Sequence, residues 1–476
     1  MSNPTTPPSF QSLPIAIIGG GITGLAAAQR LHSRGKAFRL FEAAPRLGGV
    51  LETVERDDYL VERSADNFLI KTPHARALCE ELGLGDQLVP TNADRRGAMV
   101  VCRGRLLPVP EGFVLAAPQR LVPIITSSVL SVPGRLRLAC EPFIKQRTST
   151  DDESVADFAR RRLGREAYER LVQPLIGGIY AGDAERLSML ATTSQFVEQE
   201  REFGSLWRAA RKKQLAEQRE RGARYSAFMA PRGGMKQLIE RLIATLPREA
   251  MRVGVAVQAI ERGPQHWRLR GTNGGSLGEF DAVIVTTPAY HAAELVAKVD
   301  ALLARELCGI EYSGTSVVCL GLHESQLKRP VSAFGIVAPA MERREAIAIS
   351  FGSYKYPGRA PEGELLVRVF IGGALQPQLA ERDDAELLAI AQRELSQLVG
   401  LAGEPRVMEI ARWPQRMPQY NVGHLHRIAR IEARVAAHPG LQLAGAAYRG
   451  VGIPQCIADG QRAAEACNDS APRRAP

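Results

Sequence analysis

Four apolar residues in a row, Ile15-Ala16-Ile17-Ile18, precede Gly19-Gly20-Gly21-Ile22-Thr23-Gly24 and a helix-spaced pattern from Leu25 to Leu31. An unbroken apolar run predicts a buried strand, and the pattern after the glycines predicts a helix packed on it. Phe38–Phe41 is a second such run ending at Glu42, so residues 15–42 read as one strand–helix–strand unit with parallel strands. Residues 97–110 predict a hairpin turning at Arg103-Gly104, after which Leu115 to Arg224 turns helical. Strands return over 253–285, where Ala282-Val283-Ile284-Val285 ends at Thr286-Thr287-Pro288. Further strands are expected at 315–322, 345–351 and 364–371, then a helix at 383–399. Finally, Leu441 to Gly445 reads as a strand that feeds Gly450–Ile453 and a helix from Pro454 onward.

Composition narrows the class. The 476 residues suggest about three domains, and 45% apolar with 24% charged residues is a globular balance. Lys+Arg 61 against Asp+Glu 51 gives +10, which suits an anionic partner: nucleic acid, an anionic bilayer or a small polycarboxylate. The seven cysteines, Cys79, Cys102, Cys140, Cys308, Cys319, Cys456 and Cys467, form no CxxC pair, so neither a metal site nor a disulfide framework is signalled and reduced thiols of a cytoplasmic protein are expected. Met1 to Leu13 lacks a basic start and an apolar core, so it reads as a frayed tail rather than a secretory signal. No apolar stretch approaches the ~20 residues of a spanning helix. Any membrane contact is therefore expected to be peripheral.

The glycine spacing carries chemistry. In a GxGxxG turn the first glycine (Gly19) makes the tight bend, the second (Gly21) lets backbone approach a pyrophosphate, and the third (Gly24) lets helix and strand pack closely. Glu42, at the end of the next strand, stands where an acid takes a ribose hydroxyl. Arg46-Leu47-Gly48-Gly49 adds a guanidinium beside paired glycines, able to face the same pyrophosphate. Ala444-Gly445 and Tyr448-Arg449-Gly450-Val451-Gly452-Ile453-Pro454 form a second strand–turn–helix start, whose N–H groups and positive dipole end suit the N1 and C2 carbonyl of a flavin. Nucleotide-type elements at the start, middle and end imply one domain assembled from three separated segments.

Glu42 through Gly49 matches the Glu-Ala-x-x-Arg-x-Gly-Gly of flavoproteins of the monoamine oxidase superfamily. Within it the chain resembles the FAD-dependent porphyrinogen oxidases of haem biosynthesis. The resemblance rests on Asn67-Phe68-Leu69, Gly104 to Pro110, Leu171 to Asp183 with its Gly-Ile-Tyr-Ala-Gly turn, Met417-Pro418-Gln419-Tyr420 with Gly423-His424, and Gly450 to Ile457. It implies an α/β protein with a discontinuous Rossmann-like FAD-binding domain (14–90, 232–300 and 438–468), a mixed-sheet substrate domain (91–114 and 301–437) and a helical insertion (115–231), with tails at 1–13 and 469–476. It implies FAD contacts at Gly19, Gly21, Gly24, Glu42, Ala43, Arg46, Gly48, Gly49, Val257, Gly445, Gly452, Ile453 and Pro454.

The implied reaction is a six-electron, oxygen-using oxidation of a porphyrinogen to a porphyrin, without nucleic acid, metal or an identifiable general base. Alternatives are a flavin amine oxidase, a carotenoid desaturase or a non-catalytic FAD- or porphyrin-binding protein. Some relatives place an arginine where this chain has Ala98, and many have Gly-Pro-Asp-Ser-Phe where it has Ser64-Ala65-Asp66-Asn67-Phe68. Lys71, Arg95 and Arg96 are the candidate propionate cations, with Asn67 and Tyr180 as further substrate contacts. The helix start leans toward coproporphyrinogen III over protoporphyrinogen IX. The basic segment 198–224, expected as one amphipathic helix, is a candidate surface for anionic lipid or for ferrochelatase.

Overall fold

The computed structural model describes residues 12–93, 95, 97–114, 117–118, 123–124, 126–219 and 227–469. Its first layer is an all-parallel five-stranded sheet in the order Met251–Val253, Phe38–Glu42, Ile15–Ile18, Ala282–Val285, Leu441–Leu443. Its strands come from three distant stretches of chain. Ile15, Ile17 and Ile18 are buried, as are Val283, Ile284 and Val285 opposite them, because helices cover one face and a three-stranded antiparallel meander the other. Burial on both faces is why these strands read as continuous apolar runs rather than alternating ones.

Helix Ile22–Ser33 packs along helix Ile453–Asp469, and the crossing is close because the side chains there are small. A Cβ on Gly460 would lie 2.2 Å from the Thr23 carbonyl oxygen, and Ala26, Ala27 and Ala28 are fully buried beside it. On the other face the meander Val257–Arg262, Trp267–Gly271, Ser276–Phe280 contributes Trp267 and Phe280, the latter edge-on to Phe41 at 5.9 Å. Each fully buried aromatic or aliphatic side chain of this kind is worth about 1.5–3 kcal/mol.

The second layer is a seven-stranded mixed sheet: Val407–Pro418, Tyr312–His323, Glu364–Gly372, Ala346–Phe351, Gly335–Val337, Ala98–Cys102, Arg105–Pro108. One pair, Gly335–Val337 with Ala98–Cys102, is parallel and the others antiparallel. The expected hairpin is there, with Arg103 (φ 52°) and Gly104 (φ 71°) both left-handed at its two-residue turn. Val407–Pro418 and helix His424–Ala436 were not foreseen. The strand is an edge strand, only three of its twelve residues are buried, and two arginines and two prolines interrupt it, so it carries little apolar signal.

The third part is helical: Val132–Ala139, Val155–Leu163, Gln173–Tyr180, Met189–Phe203 and Leu206–Arg219 surround Phe158, Leu171, Val172, Ile176, Leu187 and Met189. Two expectations need correction. The helical part does not run to residue 231, because Phe228–Pro231 is a strand paired with Phe68–Leu69 and Leu88–Pro90, giving backbone groups of the first segment their partners. The basic segment is not one helix either: Gly204 (φ 69°) ends Met189–Phe203, and the chain restarts at Leu206 after Ser205 bonds to the buried Glu141. Residues 220–224 of that segment lie outside the described residues.

Candidate functional site

The three glycines of the first turn do three different jobs. Gly19 has φ +109°; its N–H bonds the Phe41 carbonyl at 2.8 Å, and the Gly19 carbonyl accepts from Thr286 Oγ1 at 2.9 Å. Gly24 packs so tightly that a Cβ would lie 1.9 Å from the Gly19 carbonyl oxygen. Gly21, by contrast, has open space: the nearest atom to a Cβ there is Gly49 Cα at 3.9 Å. Gly21 is also the N-cap of Ile22–Ser33, and no side chain caps that helix. Its first N–H groups and positive end therefore face the same space, the arrangement that takes a phosphate. The cradle fits the pyrophosphate of FAD.

Glu42 sits at the tip of its strand with Oε2 accepting from Gly20 N–H (2.6 Å) and Oε1 from Ala44 N–H (2.8 Å). A carboxylate has lone pairs beyond these two, so a ribose hydroxyl can still be accepted. Ala43 lies between those two contacts. Arg46 donates to the Gly49 carbonyl at 2.7 Å and pairs with Glu52 at 3.2 Å, so it holds the loop of Gly48 (φ +107°) and Gly49 (φ +59°) in place. Val257 lies in the meander strand. The valine joined to Glu42 is Val255, whose N–H bonds the Glu42 carbonyl at 2.9 Å.

The C-terminal turn is built by side chains. Gly445 (φ +132°) donates its N–H to Asp459 Oδ2 at 2.8 Å, and Arg449 and Arg462 both reach Asp459 Oδ1 at 2.8 Å. Tyr420 spans the turn, donating to the Ala446 carbonyl at 2.5 Å and accepting from Gly450 N–H at 2.8 Å. Gly452 leaves room for the Gln455 side chain, whose Oε1 a Cβ there would meet at 2.4 Å. The helix then opens at Ile453 and Pro454, proline being tolerated where no intrahelical partner exists for its nitrogen. His424 stacks on the Tyr420 ring at 4.0 Å, and burial lowers its pKa to about 4.

Two sequence motifs meet beside this turn. Gln419 Nε2 donates to the Tyr180 carbonyl (3.1 Å) and to Ser313 Oγ (2.8 Å), while the Tyr420 carbonyl accepts from Ser188 N–H at 2.7 Å. Tyr180 ends helix Gln173–Tyr180, which follows a π-helical stretch, Tyr168–Val172, and precedes Ala181 in the left-handed region. Its hydroxyl donates to the Thr192 carbonyl at 3.1 Å, and burial pushes its pKa to about 12. It is a neutral, backbone-anchored hydroxyl.

Of the candidate cations, Lys71 and Arg95 are among the described residues. Lys71 reaches Gln195 of the helical part at 3.4 Å. Arg95 lies 3.9 Å over the Tyr354 ring, in a cleft also lined by Ser353, Arg359 and Glu364. Arg96 lies outside the described residues. Asn67 donates to Asp66, and Asp66 is the hub of a buried charge cluster with Arg368 (2.6 Å) and Lys355 (3.0 Å). Burial alone would raise the Asp66 pKa, yet those two cations hold it at about 2. Sequence reasoning missed Arg368 and Asp459 as site-building residues. The signal for Arg368 was available: a lone charge inside Leu365-Leu366-Val367-Arg368-Val369-Phe370-Ile371 requires a buried partner.

Comparison with known proteins sets this geometry in context. Residues 22–468 match the model of the flavin-containing amine oxidoreductases. The chain belongs to that family. It is an oxidoreductase and its cofactor is FAD. It is 33% identical to coproporphyrinogen III oxidase of Bacillus subtilis over 94% of this chain and 96% of that protein. It is 28% identical to the chloroplastic protoporphyrinogen oxidase of Nicotiana tabacum, covering 94% of this chain and 83% of that one. A solved structure from Exiguobacterium, provisionally named a protoporphyrinogen oxidase, superposes with a TM-score of 0.84 at 30% identity, over 96% of this chain and 98% of that one. Among the described residues no cluster of His, Cys, Asp or Glu could hold a metal ion, and no helix is long and apolar enough to cross a membrane.

Proposed function

We propose that this flavoenzyme oxidises a porphyrinogen to a porphyrin with oxygen as acceptor, and that coproporphyrinogen III is preferred to protoporphyrinogen IX. The observation that carries the reading is the pairing of the open Gly21 cradle with the Tyr420-braced C-terminal turn, in a chain 33% identical along its length to a coproporphyrinogen III oxidase. Residues 14–90, 232–300 and 438–468 hold the cofactor. Residues 91–114 and 301–437 carry the substrate side, and the helical part ends before Phe228.

When bound, FAD supplies the two-electron acceptor chemistry, repeated three times for a six-electron oxidation. The chain's own residues bind and orient. Gly21 would seat the diphosphate in a turn shaped by Gly19 and Gly24, Glu42 would take a ribose hydroxyl, and Arg46, Gly48 and Gly49 would close the loop over it. The turn through Gly445, Gly452, Ile453 and Pro454 aims the helix N-terminus at the flavin, with Val257 contributing from the meander. Lys71, Arg95 and Arg96 are assigned to the substrate carboxylates, with Asn67 and Tyr180 as polar neighbours. No protein base is assigned: burial keeps the Tyr180 hydroxyl protonated and lowers the His424 pKa to about 4, which leaves its imidazole a weak base.

The test is anaerobic mixing of the holoenzyme with each porphyrinogen, following flavin bleaching and porphyrin fluorescence. Bleaching by porphyrinogens and not by primary amines supports the reading, and bleaching by amines alone overturns it. A peripheral place on the inner face of a membrane, or a contact with ferrochelatase, belongs to the same proposal. The membrane is favoured by the exposed apolar residues Val132, Leu136 and Phe143 of the helical part.

A further inference from the structure

Just beyond Gly48 and Gly49 the chain makes a hairpin, Thr53–Arg56 with Tyr59–Glu62, turning at Asp57 (φ 46°) and Asp58 (φ 64°). Its two ends stay side by side, since Arg63 N–H bonds the Glu52 carbonyl at 2.9 Å. Two buried side chains fix it on helix Met235–Ala244: Glu62 accepts from Met235 N–H at 2.8 Å, and Thr53 Oγ1 accepts from Lys236 N–H at 2.9 Å. Tyr59 and Val61 are fully buried against Val317, Cys319, Leu366 and Val407 of the seven-stranded sheet. The hairpin is therefore a fixed spacer between the cofactor loop and that sheet.

At the base of the spacer the charges alternate. Glu52 Oε2 lies 3.2 Å from Arg46 Nη2 and 3.2 Å from Arg63 Nη1, so one carboxylate oxygen serves two guanidiniums. Arg63 goes on to Glu409 Oε1 at 3.5 Å and donates to the Ile410 carbonyl at 3.2 Å, while Trp413 Nε1 donates to the Arg63 carbonyl at 2.7 Å. The side chains of Glu52, Arg63 and Glu409 are only 20%, 26% and 15% exposed, so salt screens this row less than it screens surface pairs.

Both ends of the row reach the cofactor site. At one end, the loop from Arg46 to Leu51 is the second wall of the diphosphate cradle: Gly48 N–H bonds the Gly20 carbonyl at 2.8 Å, and Gly49 Cα lies 3.9 Å from where a Cβ on Gly21 would stand. Arg46 shapes that wall, donating to the carbonyls of Leu47 (3.3 Å), Gly49 (2.7 Å) and Leu51 (3.4 Å). At the other end, Glu409 and Ile410 stand on strand Val407–Pro418, which leads directly into Tyr420, the brace of the C-terminal glycine turn. A carboxylate held between two guanidiniums on a rigid hairpin has little freedom left to lose, so it can order Arg46 where a mobile surface pair could not.

We propose that Glu52 and Arg63 are positioning residues for the cofactor: they act through Arg46 to hold its loop against the diphosphate, and they carry the order that FAD brings to that loop into strand Val407–Pro418. The proposal needs only the bound cofactor and stands apart from the identity of the substrate. It also fixes a sign. Removing an acid near a diphosphate would by Coulomb's law alone tighten FAD binding, whereas removing a positioning group weakens it.

The experiment measures FAD release on dilution of the holoenzyme, followed by flavin fluorescence, together with amide hydrogen exchange before and after the cofactor is removed. Glu52→Gln should bind FAD about fivefold more weakly, the size of a lost ion pair in a partly buried row. The melting temperature of the Glu52→Gln apoprotein should stay at the wild-type value. In wild type, exchange along Val407–Pro418 should quicken when FAD leaves; in Arg63→Gln it should be the same with and without FAD. Unchanged or tighter FAD binding by Glu52→Gln would overturn the proposal, as would FAD-dependent exchange along that strand surviving in Arg63→Gln. So would a Glu52→Gln apoprotein whose melting temperature falls along with its affinity, which would make the row a packing device only.

Discussion

The two glycine turns that frame the cofactor site differ in how much close backbone packing fixes them. In the first, residues 19–24, close backbone sets the glycine spacing, with Gly24 pressed against the Gly19 carbonyl and Gly48 N–H on the Gly20 carbonyl at 2.8 Å, while the Glu42 and Thr286 side chains hold Gly20 N–H and the Gly19 carbonyl. In the second, residues 445–452, side chains from outside the turn hold the backbone: Asp459 from the following helix and Tyr420 from beyond the edge strand. A turn held by its own backbone carries its requirements in local glycine spacing. A turn held by side chains can be lost by changes far from it in sequence.

The largest effect that tests this contrast is in the first turn. Gly24→Ala puts a Cβ 1.9 Å from a fixed carbonyl oxygen and should prevent folding or cost well over the ~1–3 kcal/mol typical of overpacking, read as loss of soluble protein or of thermal stability. Gly21→Ala, with nothing nearer than 3.9 Å, should leave the apoprotein melting temperature unchanged and abolish FAD retention. If both variants behave alike, the division of labour among the glycines fails.

For the second turn, Asp459→Ala should cost about 3–5 kcal/mol in stability, because a buried carboxylate is removed from two arginines and from Gly445 N–H. Denaturant unfolding checks this, and a change below ~1 kcal/mol would show that the turn needs no side-chain brace.

Next in size is a pH effect through His424. Its pKa is depressed from 6.5 to about 4 in the folded protein, so the unfolded chain binds the extra proton first as pH falls. The stabilisation is present above pH ~6.5 and is lost between there and pH ~4, on the order of 3 kcal/mol in all. Unfolding curves across that window should show the loss in wild type and not in His424→Phe.

The smallest expected effect belongs to Tyr420→Phe, which keeps the ring stacked on His424 but strands Gly450 N–H and the Ala446 carbonyl. About 1–2 kcal/mol is expected, seen as roughly tenfold weaker FAD binding with little change in apoprotein stability. A fall in stability without a fall in FAD affinity would make the tyrosine a packing residue only.

Legibility in the sequence follows the same division. The strand at Ala282–Val285, the hairpin at Arg103-Gly104 and the helix over Asp384–Val399 stand close to where apolar periodicity and turn residues put them. The edge strand Val407–Pro418 did not show, since an exposed strand needs no apolar run. The surroundings of the propionate candidates were not legible: Arg95 lies over Tyr354 and Lys71 reaches the helical part, partners that become neighbours only on folding. The buried hub at Asp66 draws Lys355 and Arg368 from about three hundred residues away.

By itself the sequence determined the parallel sheet, the diphosphate cradle and the acid at Glu42, because each depends on residue types within one strand–turn–helix unit, where spacing equals geometry. Tertiary structure alone decided that Tyr420 braces the flavin turn, that Asp66 neutralises Arg368, and that exposed apolar side chains lie at 132–143 rather than along 198–224. Those contacts join segments far apart in the chain, and burial, which decides whether a charge or an apolar side chain acts in the core or at the surface, exists only once the layers have packed.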